Sequence, residues 1–422
     1  MSFWSRTDRS LLSRWWWTVD RTSLLAILTL AGLGLMLILA SGPAVAARHV
    51  PPFPASQFIT RQLLFIGPAL GVLIGCSLLD AERIRRLAVP GFVVAFLLLV
   101  ATLVFGEVRN GAQRWLSIAG LSLQPSEFLK PMFVLVLAGL LSARGKVSPA
   151  ARFGLAFLLL GFIVLPLIKQ PDFGQTALIV MTFGAMLFLA GLPIAVMAGL
   201  AGLAACGAVA AFLRVEHVAD RVKGFLDPSS TDTYQVAQGL QAFRAGGLLG
   251  VGPGEGRLKW SLPDAHTDFI FAVAGEEFGV ALCLVIVALI ALIVVRALVA
   301  AMREEDPAQL AISGLGALFA LQELHQSRRQ CAPSAGQGHD AAVRFYGGCR
   351  SLPRPCCAAS CSPTRRRITG APPRALPSAG PGVSDAAHLV VIAAGGTGGH
   401  LPRSGPRRRA GAAQASRHPR DR

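Results

Sequence analysis

The stretch FIFAVAGEEFGVALCLVIVALIALIVV, residues 269–295, decides the fold. It is long enough to cross a bilayer as an α-helix, because ~30 Å of hydrocarbon takes about 20 apolar residues. Only two charged side chains, Glu276 and Glu277, interrupt it, and both lie near its start. Runs of this kind recur along the chain, so the sequence predicts an all-α, polytopic helical membrane protein.

Eight apolar runs have this character, and a ninth begins near Ala308 and stops near Leu321. Hydrophobic residues make up 53% of the 422 residues, charged residues make up 15%, and the mean hydropathy is +0.54. This composition excludes an ordinary water-soluble domain. The eight predicted spans are residues 23–41, 62–79, 87–106, 127–142, 153–168, 174–191, 193–213 and 269–295.

Basic residues predict the orientation of these spans. They precede the first span and follow the second, fourth and eighth, so all face the cytoplasm if residues 1–22 form a cytoplasmic segment. Further apolar runs follow the first one along the chain, so we interpret the first run as an anchor and not as a signal peptide. The basic residues are Arg6, Arg9, Arg14, Arg21, Arg83, Arg85, Arg86, Arg144, Lys146, Arg152, Arg296 and Arg303.

The formal net charge of +17 is concentrated at one end of the chain. Residues 321–422 hold 16 arginines and four acidic residues, whereas residues 1–320 hold 24 basic and 19 acidic residues. A basic protein often binds nucleic acid, but here the charge belongs to a segment of different composition. We therefore expect no nucleic acid partner, and we place the transmembrane domain at residues 23–321.

The sequence after Leu321 does not continue the ninth span, because ELHQSRRQCAPSAGQGHD could not cross a bilayer. Reading the codons one nucleotide out of register from Glu323 permits an apolar span and then a loop with glycine and proline. We therefore predict that residues 322–422 are a frame-shifted, disordered tail rich in arginine and proline. Its cysteines lack paired C-x-x-C spacing, so no metal site is assigned.

The first of three polar loops on the predicted periplasmic side is Gly106–Lys130. Glu127 and Lys130 lie at helical spacing i, i+3, so the two charges can neutralise each other. One interpretation is that Arg109, Arg114 and Lys130 bind the pyrophosphate of a lipid-linked sugar, since guanidinium and ammonium groups pair with phosphate. The other is that these ion pairs only anchor the helix at the membrane interface.

The second loop is short and carries Asp172 in the stretch KQPDFGQTAL from Lys169. A carboxylate in this place can cap the following helix by accepting backbone N–H bonds. It can also belong to a line of polar groups that faces a substrate groove. Both interpretations stay open from the sequence.

The third loop, residues 214–268, is too long for a simple connection. Its middle predicts an amphipathic helix over Tyr234–Phe243, followed by a glycine-rich stretch. Asp268 directly precedes the apolar run, and a carboxylate entering a membrane span is costly unless it is paired or used. It is therefore our candidate general base for an inverting glycosyl transfer, with the cations stabilising the departing pyrophosphate. Glu276 is the next candidate.

Four motifs, NGAQRW, QPSEFLKP, KQPDFGQTAL and LPDAHTDFIFAVAGEE, resemble the hallmark stretches of the SEDS peptidoglycan glycosyltransferases (FtsW/RodA/SpoVE) over residues 20–320. The Ala-His-Thr-Asp form favours the FtsW branch. So does LVVIAAGGTGGHL at residues 389–401, which resembles the N-terminus of MurG and has no MurG domain behind it. In this family the acid at the Asp268 position is the proposed catalytic carboxylate, and we add His266 and Glu276 as substrate-binding residues.

The resemblance also implies a ten-helix fold in the bacterial inner membrane at the division septum. It implies polymerisation of lipid II, the undecaprenyl-pyrophosphate-linked disaccharide pentapeptide, into glycan strands. The implied partners are a class B penicillin-binding protein and other divisome proteins. Two alternatives remain: a lipid II flippase or transporter, since polar residues in a helical bundle also mark a transport path, and a non-catalytic divisome scaffold. No cofactor is assigned, and a divalent cation (Mg or Mn) stays open.

Overall fold

A computed structural model describes residues 15–16, 19–48, 54, 56–109, 112–118, 121–145, 147–214, 219, 231–262, 265 and 269–331. The helices within these ranges are α1 (Arg21–Arg48), α2 (Ser56–Ser77), α3 (Ala81–Phe105), α4 (Pro125–Leu141), α5 (Pro149–Lys169), α6 (Phe173–Leu189), α7 (Ile194–Arg214), α8 (Thr231–Gly246), α9 (Ile270–Glu277), α10 (Gly279–Ala301) and α11 (Asp306–Cys331).

Six of these helices, α1, α2, α3, α5, α7 and α10, are long and apolar enough to cross a membrane. Helices α4 and α6 have 17 residues each, which is near the lower limit for a span. The first seven predicted spans are confirmed as one helix each. The predicted amphipathic helix in the third loop is also confirmed, as α8.

The eighth predicted span is wrong as a single helix. Helix α9 ends at Glu277, and α10 begins at Gly279, whose φ of +77° is a backbone conformation that favours glycine. A Cβ on Gly279 would collide with the carbonyl oxygen of Leu248, so another segment fills the space beside the break. Hydrophobic length could not reveal this break, because both halves of the run are apolar.

The helix that contains the ninth predicted run is longer than the sequence suggested. Helix α11 continues to Cys331, ten residues beyond the predicted domain boundary at Leu321. Its first part packs against α4, α6 and α10. The helix therefore extends through the first ten residues assigned to the tail, and residues 332–422 lie outside the described ranges.

A small antiparallel sheet fills the loop between α3 and α4, which the all-α prediction did not include. Its strands are β1 (Glu107–Arg109), β2 (Ala112–Ile118) and β3 (Leu121–Leu123), paired in the order β1-β2-β3. Strand β2 pairs with both neighbours, which fixes the direction in which its side chains leave the loop.

Helix α4 lies at the centre of the bundle. Twelve of its 17 residues are buried, and its apolar face joins a large core shared with α3, α6 and α11. The helix begins with Pro125 at its first position, where the missing N–H costs no hydrogen bond. Its central position explains why polar side chains on its first turns become buried.

Contacts between distant segments agree with the predicted alternation of the spans. One set joins ends that were all assigned to the cytoplasmic side: Trp15 with Ser77, Asp20 with Arg296, and Arg144 with Asp306. A second set joins ends that were all assigned to the periplasmic side: Lys259 with the Ala40 carbonyl, Gln170 with Leu99, and Arg114 with Asp172. The two sets therefore mark opposite ends of the bundle.

Candidate functional site

A buried ion pair forms in the first turns of α4. Lys130 Nζ lies 2.7 Å from Glu127 Oε2, and each side chain is only 1% exposed. The i, i+3 spacing places both groups on one face of the helix, as the sequence predicted. Because two charges removed from water require further polar contacts, the neighbours of this pair decide whether it is tolerated.

Two glutamines supply those contacts. Gln175 on α6 donates from Nε2 to Glu127 Oε1 at 2.7 Å. Gln322 on α11 donates to Glu127 Oε2 at 3.2 Å and accepts from Lys130 Nζ at 3.3 Å. The pair therefore ties α4 to α6 and α11. Sequence reasoning missed both glutamines, although an isolated amide within an apolar helix is a usable signal.

Asp172 caps a helix, as one of its two predicted interpretations required, and it also contacts a cation; that it faces a substrate groove stays a prediction. Its Oδ1 accepts a hydrogen bond of 3.4 Å from the backbone N–H of Gln175, which caps the N-terminus of α6. The same atom lies 3.5 Å from the guanidinium of Arg114, which extends from β2. Below, "the α4 cluster" means Arg114, Glu127, Lys130, Asp172, Gln175 and Gln322.

Several polar atoms of the α4 cluster remain available. Arg114 Nε, Asp172 Oδ2 and Gln175 Oε1 are buried and have no hydrogen-bond partner among the described residues. Buried polar atoms in proteins are nearly always paired, so unpaired atoms at one place indicate unused binding capacity. The long contact between Arg114 and Asp172 makes this guanidinium the cation that is easiest to redirect.

A second buried cluster lies where the third loop meets the break between α9 and α10. Glu276 accepts three backbone N–H groups, from residues 257–259, at 2.6, 2.8 and 3.2 Å. These residues start a short 3₁₀ turn, Leu258–Trp260, whose free N–H groups favour a carboxylate. Both oxygens of Glu276 are thus engaged in holding the loop.

Glu277 completes this arrangement. Its Oε1 lies 2.5 Å from Lys259 Nζ, and its Oε2 accepts from the Gly254 N–H at 2.8 Å. Lys259 also donates to the carbonyls of Ala40 and Gly254 at 3.1 and 2.8 Å. We call Lys259, Glu276 and Glu277 "the loop clamp". Both partners of its ion pair are almost fully buried.

The structure brings together four of the predicted site residues, Arg114, Glu127, Lys130 and Asp172, in the α4 cluster. Glu276 belongs instead to the loop clamp. Arg109 lies on β1, and its side chain is outside the described part of the structure, as are Asp268 and His266 altogether.

The residues that flank Asp268 are in the described part of the chain. Ala265 and Phe269 are both buried, in a cluster with Val45 and Ala242. The end of the third loop therefore packs against α1 and α8. Among the described residues, no three His, Cys, Asp or Glu side chains come together as a metal site would require.

Comparison with known proteins gives a family match over most of the described chain. The model of the cell cycle protein family FtsW/RodA/SpoVE matches residues 21–326. A probable peptidoglycan glycosyltransferase FtsW from Caulobacter vibrioides is 40% identical over 321 residues, which covers 76% of this chain and 82% of that protein. A protein of the same name from Trichlorobacter lovleyi is 32% identical over 318 residues, covering 72% and 81%.

Solved structures with the same architecture point the same way. One is a chain from a peptidoglycan synthase complex that coordinates polymerization and crosslinking, with a TM-score of 0.61 and 25% identity over 74% of this chain and 87% of that one. Another is the rod shape determining protein RodA of Thermus thermophilus, with a TM-score of 0.53 and 24% identity over 72% and 83%. The second likeness concerns the fold alone.

Proposed function

The chain belongs to the FtsW/RodA/SpoVE family of cell cycle proteins, and from this premise we propose that it is a multi-pass membrane peptidoglycan glycosyltransferase that polymerises lipid II. The observation that carries the proposal is the α4 cluster, a set of buried charges with unused polar atoms at one end of the bundle. In polymerisation a hydroxyl of one lipid-linked sugar attacks the anomeric carbon of another and displaces its lipid pyrophosphate, so the reaction needs a base for the hydroxyl proton and cations for the leaving group.

We assign the cations different tasks. Glu127 and Gln322 hold Lys130 in place, so its positive charge is already positioned when the substrate binds. Arg114 is partly exposed and only loosely paired with Asp172, so it can turn to a pyrophosphate oxygen and use its planar fork of donors. Arg109, on the neighbouring strand, is a second candidate for the same anion. Preorganised charge of this kind stabilises a developing negative charge without further reorganisation.

Asp268 is the proposed general base, which takes the proton from the attacking sugar hydroxyl. His266, two residues earlier, is proposed to contact the substrate. The support is positional: the loop clamp and the buried residues Ala265 and Phe269 fix the chain on both sides of this segment. A base held on an anchored segment keeps its distance to the acceptor hydroxyl, which general-base catalysis requires.

We further propose a class B penicillin-binding protein as partner, together with other divisome proteins. The support is the structural likeness to a chain from a peptidoglycan synthase complex. The proposed location is the bacterial inner membrane at the division septum, with a cytoplasmic N-terminus. The distribution of basic residues supports that orientation, and the two sets of end contacts support the alternation of the spans.

Lipid II transport is the main alternative. A transport path places polar groups near the midplane of the membrane. In the described helices the buried charged side chains lie near helix ends: Asp20 and Arg152 at one end, and the α4 cluster and the loop clamp at the other. This distribution favours chemistry at one face over passage through the bundle.

The proposed function is tested with the full chain, purified together with its transpeptidase partner, in detergent micelles with lipid II. Micelles have no second leaflet, so flipping of lipid II cannot take place in them. A polymerase can still make glycan strands there. We expect polymer from the wild type and none from Asp268→Ala or Asp268→Asn. Polymer from both variants at the wild-type rate would remove Asp268 from the mechanism. A wild type that makes no polymer but moves lipid II across vesicles would reverse the functional assignment.

The frameshift also remains our proposal. It is supported by the end of the family match at residue 326, close to the proposed change of frame at Glu323. Gln322, which completes the α4 cluster, directly precedes that change, so the first residue assigned to the shifted tail is itself in the original frame under this proposal. Resequencing the gene across the codons for Ala317–His400 tests the proposal: indels should restore two further helices and a separate MurG start. An unchanged reading would contradict it.

A further inference from the structure

Two leucines are exposed outside any membrane-crossing helix. Leu248 and Leu249 follow the end of α8 in the third loop, and they are 77% and 83% exposed. Single exposed leucines are common on protein surfaces. Two adjacent leucines that are both more than three-quarters exposed indicate a surface that binds another apolar surface. We call these two residues the leucine tip.

Glycines on both sides hold the leucine tip outward. Gly247 and Gly250 have φ of +56° and +83°, which favour glycine and reverse the chain before and after the pair. A Cβ on Gly250 would collide with the carbonyl carbon and oxygen of Glu277, so the loop lies directly on the end of α9. The leucine tip is therefore a fixed projection.

Backbone hydrogen bonds place the leucine tip at the end of a membrane span. The N–H of Val280 donates to the Gly247 carbonyl at 3.0 Å, and the N–H of Ala281 donates to the Leu248 carbonyl at 3.1 Å. Both donors lie in the first turn of α10. A helix of 23 residues is about 34 Å long, so its first turn lies at the boundary of the hydrocarbon.

The first turns of α10, to which the leucine tip is hydrogen-bonded, also carry an exposed leucine. Leu284, about one turn after Ala281, is 63% exposed, as a side chain facing lipid would be. Arg244, in the last turn of α8, is exposed near the same loop. An apolar tip with a nearby cation suits the region where acyl chains meet phosphate headgroups.

We propose that the leucine tip inserts into the outer leaflet of the membrane and that its partner is the lipid surface. Insertion would anchor the third loop at a fixed height above the bilayer, beside the loop clamp. That this is the outer leaflet follows from the orientation proposed above. Insertion itself needs only the membrane span α10 and the geometry of the loop, and it does not depend on the enzymatic proposal.

Site-specific photocrosslinking tests this. The photoreactive residue p-benzoylphenylalanine is placed in the full chain at Leu249, at Leu284 as a lipid-facing control, or at the exposed loop residue Glu255 as a matched control. Each variant is reconstituted in vesicles of phosphatidylethanolamine and phosphatidylglycerol and irradiated. Lipid adducts are counted by mass spectrometry of the intact protein.

We expect the yield at Leu249 to match that at Leu284 and to exceed clearly that at Glu255, because only a probe that lies among acyl chains meets lipid C–H bonds. A yield at Leu249 no higher than at Glu255 would overturn the proposal. The same variants are irradiated in cells. Crosslinking of Leu249 mainly to a polypeptide there would assign the leucine tip to a protein partner and also overturn it.

Discussion

The α4 cluster and the loop clamp both contain a buried Lys–Glu pair, but they are completed differently. In the α4 cluster the partners of Glu127 are side chains from α4, α6 and α11, and three polar atoms nearby have no hydrogen-bond partner in the part of the chain that the structure describes. In the loop clamp the partners of Glu276 and Glu277 are mainly backbone N–H groups and one lysine. The two clusters contain the same residue types. Their surroundings make the α4 cluster the candidate for catalysis and the loop clamp a structural anchor.

The difference teaches how to assign a buried carboxylate. A buried carboxylate whose oxygens all accept hydrogen bonds from backbone N–H groups stabilises the chain in one conformation. It cannot readily bind a substrate as well, because leaving those donors unpaired is costly. One that lies among side chains with spare donors and acceptors can exchange partners when a substrate arrives. Glu276 was a substrate-binding candidate from the sequence, and its contacts favour an anchoring task instead.

The largest expected effect is that of Lys130→Met. Removing one partner leaves Glu127 buried and uncompensated, which costs about 3–5 kcal/mol of stability. We also expect lipid II polymerisation to fall by ~100-fold or more through loss of preorganised charge. Thermal unfolding in detergent and the polymerisation assay measure the two effects. A stable variant with wild-type activity would remove Lys130 from the site.

Glu276→Ala should have the next largest effect. Three backbone N–H groups lose their acceptor, but of the three donor residues only Lys259 is buried, so we expect a loss of about 1–3 kcal/mol in all. Glu276→Gln keeps one acceptor oxygen and should recover part of the loss. Proteolysis of the third loop in both variants measures its anchoring. A loop as resistant as in the wild type would refute the clamp.

A smaller effect on stability is expected for two glycine substitutions in the third loop, which distinguish a steric clash from backbone strain. Gly250→Ala meets the Glu277 backbone and a φ of +83°, whereas Gly247→Ala meets only a φ of +56° with open space around its Cβ. We expect about 1 kcal/mol of destabilisation for Gly247→Ala from the left-handed backbone, and clearly more for Gly250→Ala. Equal melting temperatures for the two variants would show that the loop does not lie against α9.

The smallest effect concerns a third ion pair, at the other end of the bundle. Burial acts to raise the pKa of Asp20, but hydrogen bonds from Arg296 and Ser23 and the Arg296 charge outweigh it, so the pKa is lowered. A lowered folded-state pKa stabilises the protein above the unfolded-state pKa, and this contribution is lost as pH falls through the folded-state value.

Because Arg296 is 42% exposed, solvent screens this pair, and we expect it to contribute only about 0.5–1 kcal/mol at neutral pH. Asp20→Asn should lower the melting temperature slightly at pH 7 and should not do so at strongly acidic pH. Melting curves across that range check the sign. A difference that grows as pH falls would contradict it.

Most of the fold could be predicted from hydrophobic length, and the errors share one physical cause. Seven spans follow from apolar runs, since the bilayer fixes their length. The break at Gly279 and the sheet before α4 could not be predicted this way. Both depend on what a neighbouring segment places beside the chain, such as Leu248 beside Gly279.

Part of the site could also be predicted from the cost of placing polar groups in a membrane. Glu127, Lys130, Arg114 and Asp172 stand out because charges near membrane spans are costly, and the structure brings them together. Gln175 and Gln322 are neutral and far apart in the sequence, so only the packing of α6 and α11 on α4 reveals them. The anchoring contacts of Glu276 depend on backbone donors, which no side-chain pattern displays.

The most direct test of the account compares two charge-neutral double variants, Glu127→Gln with Lys130→Met and Glu277→Gln with Lys259→Met. Neither leaves an unpaired charge, so both should fold more stably than the corresponding single lysine variants. The measurement is lipid II polymerisation per folded protein, determined beside the melting temperature of each variant. We predict that the α4 double variant stays folded but makes no glycan strands. The clamp double variant should keep the wild-type activity per folded protein, because Glu276 still holds the loop through three backbone hydrogen bonds. An active α4 double variant, or an inactive clamp double variant as stable as the wild type, would contradict the account.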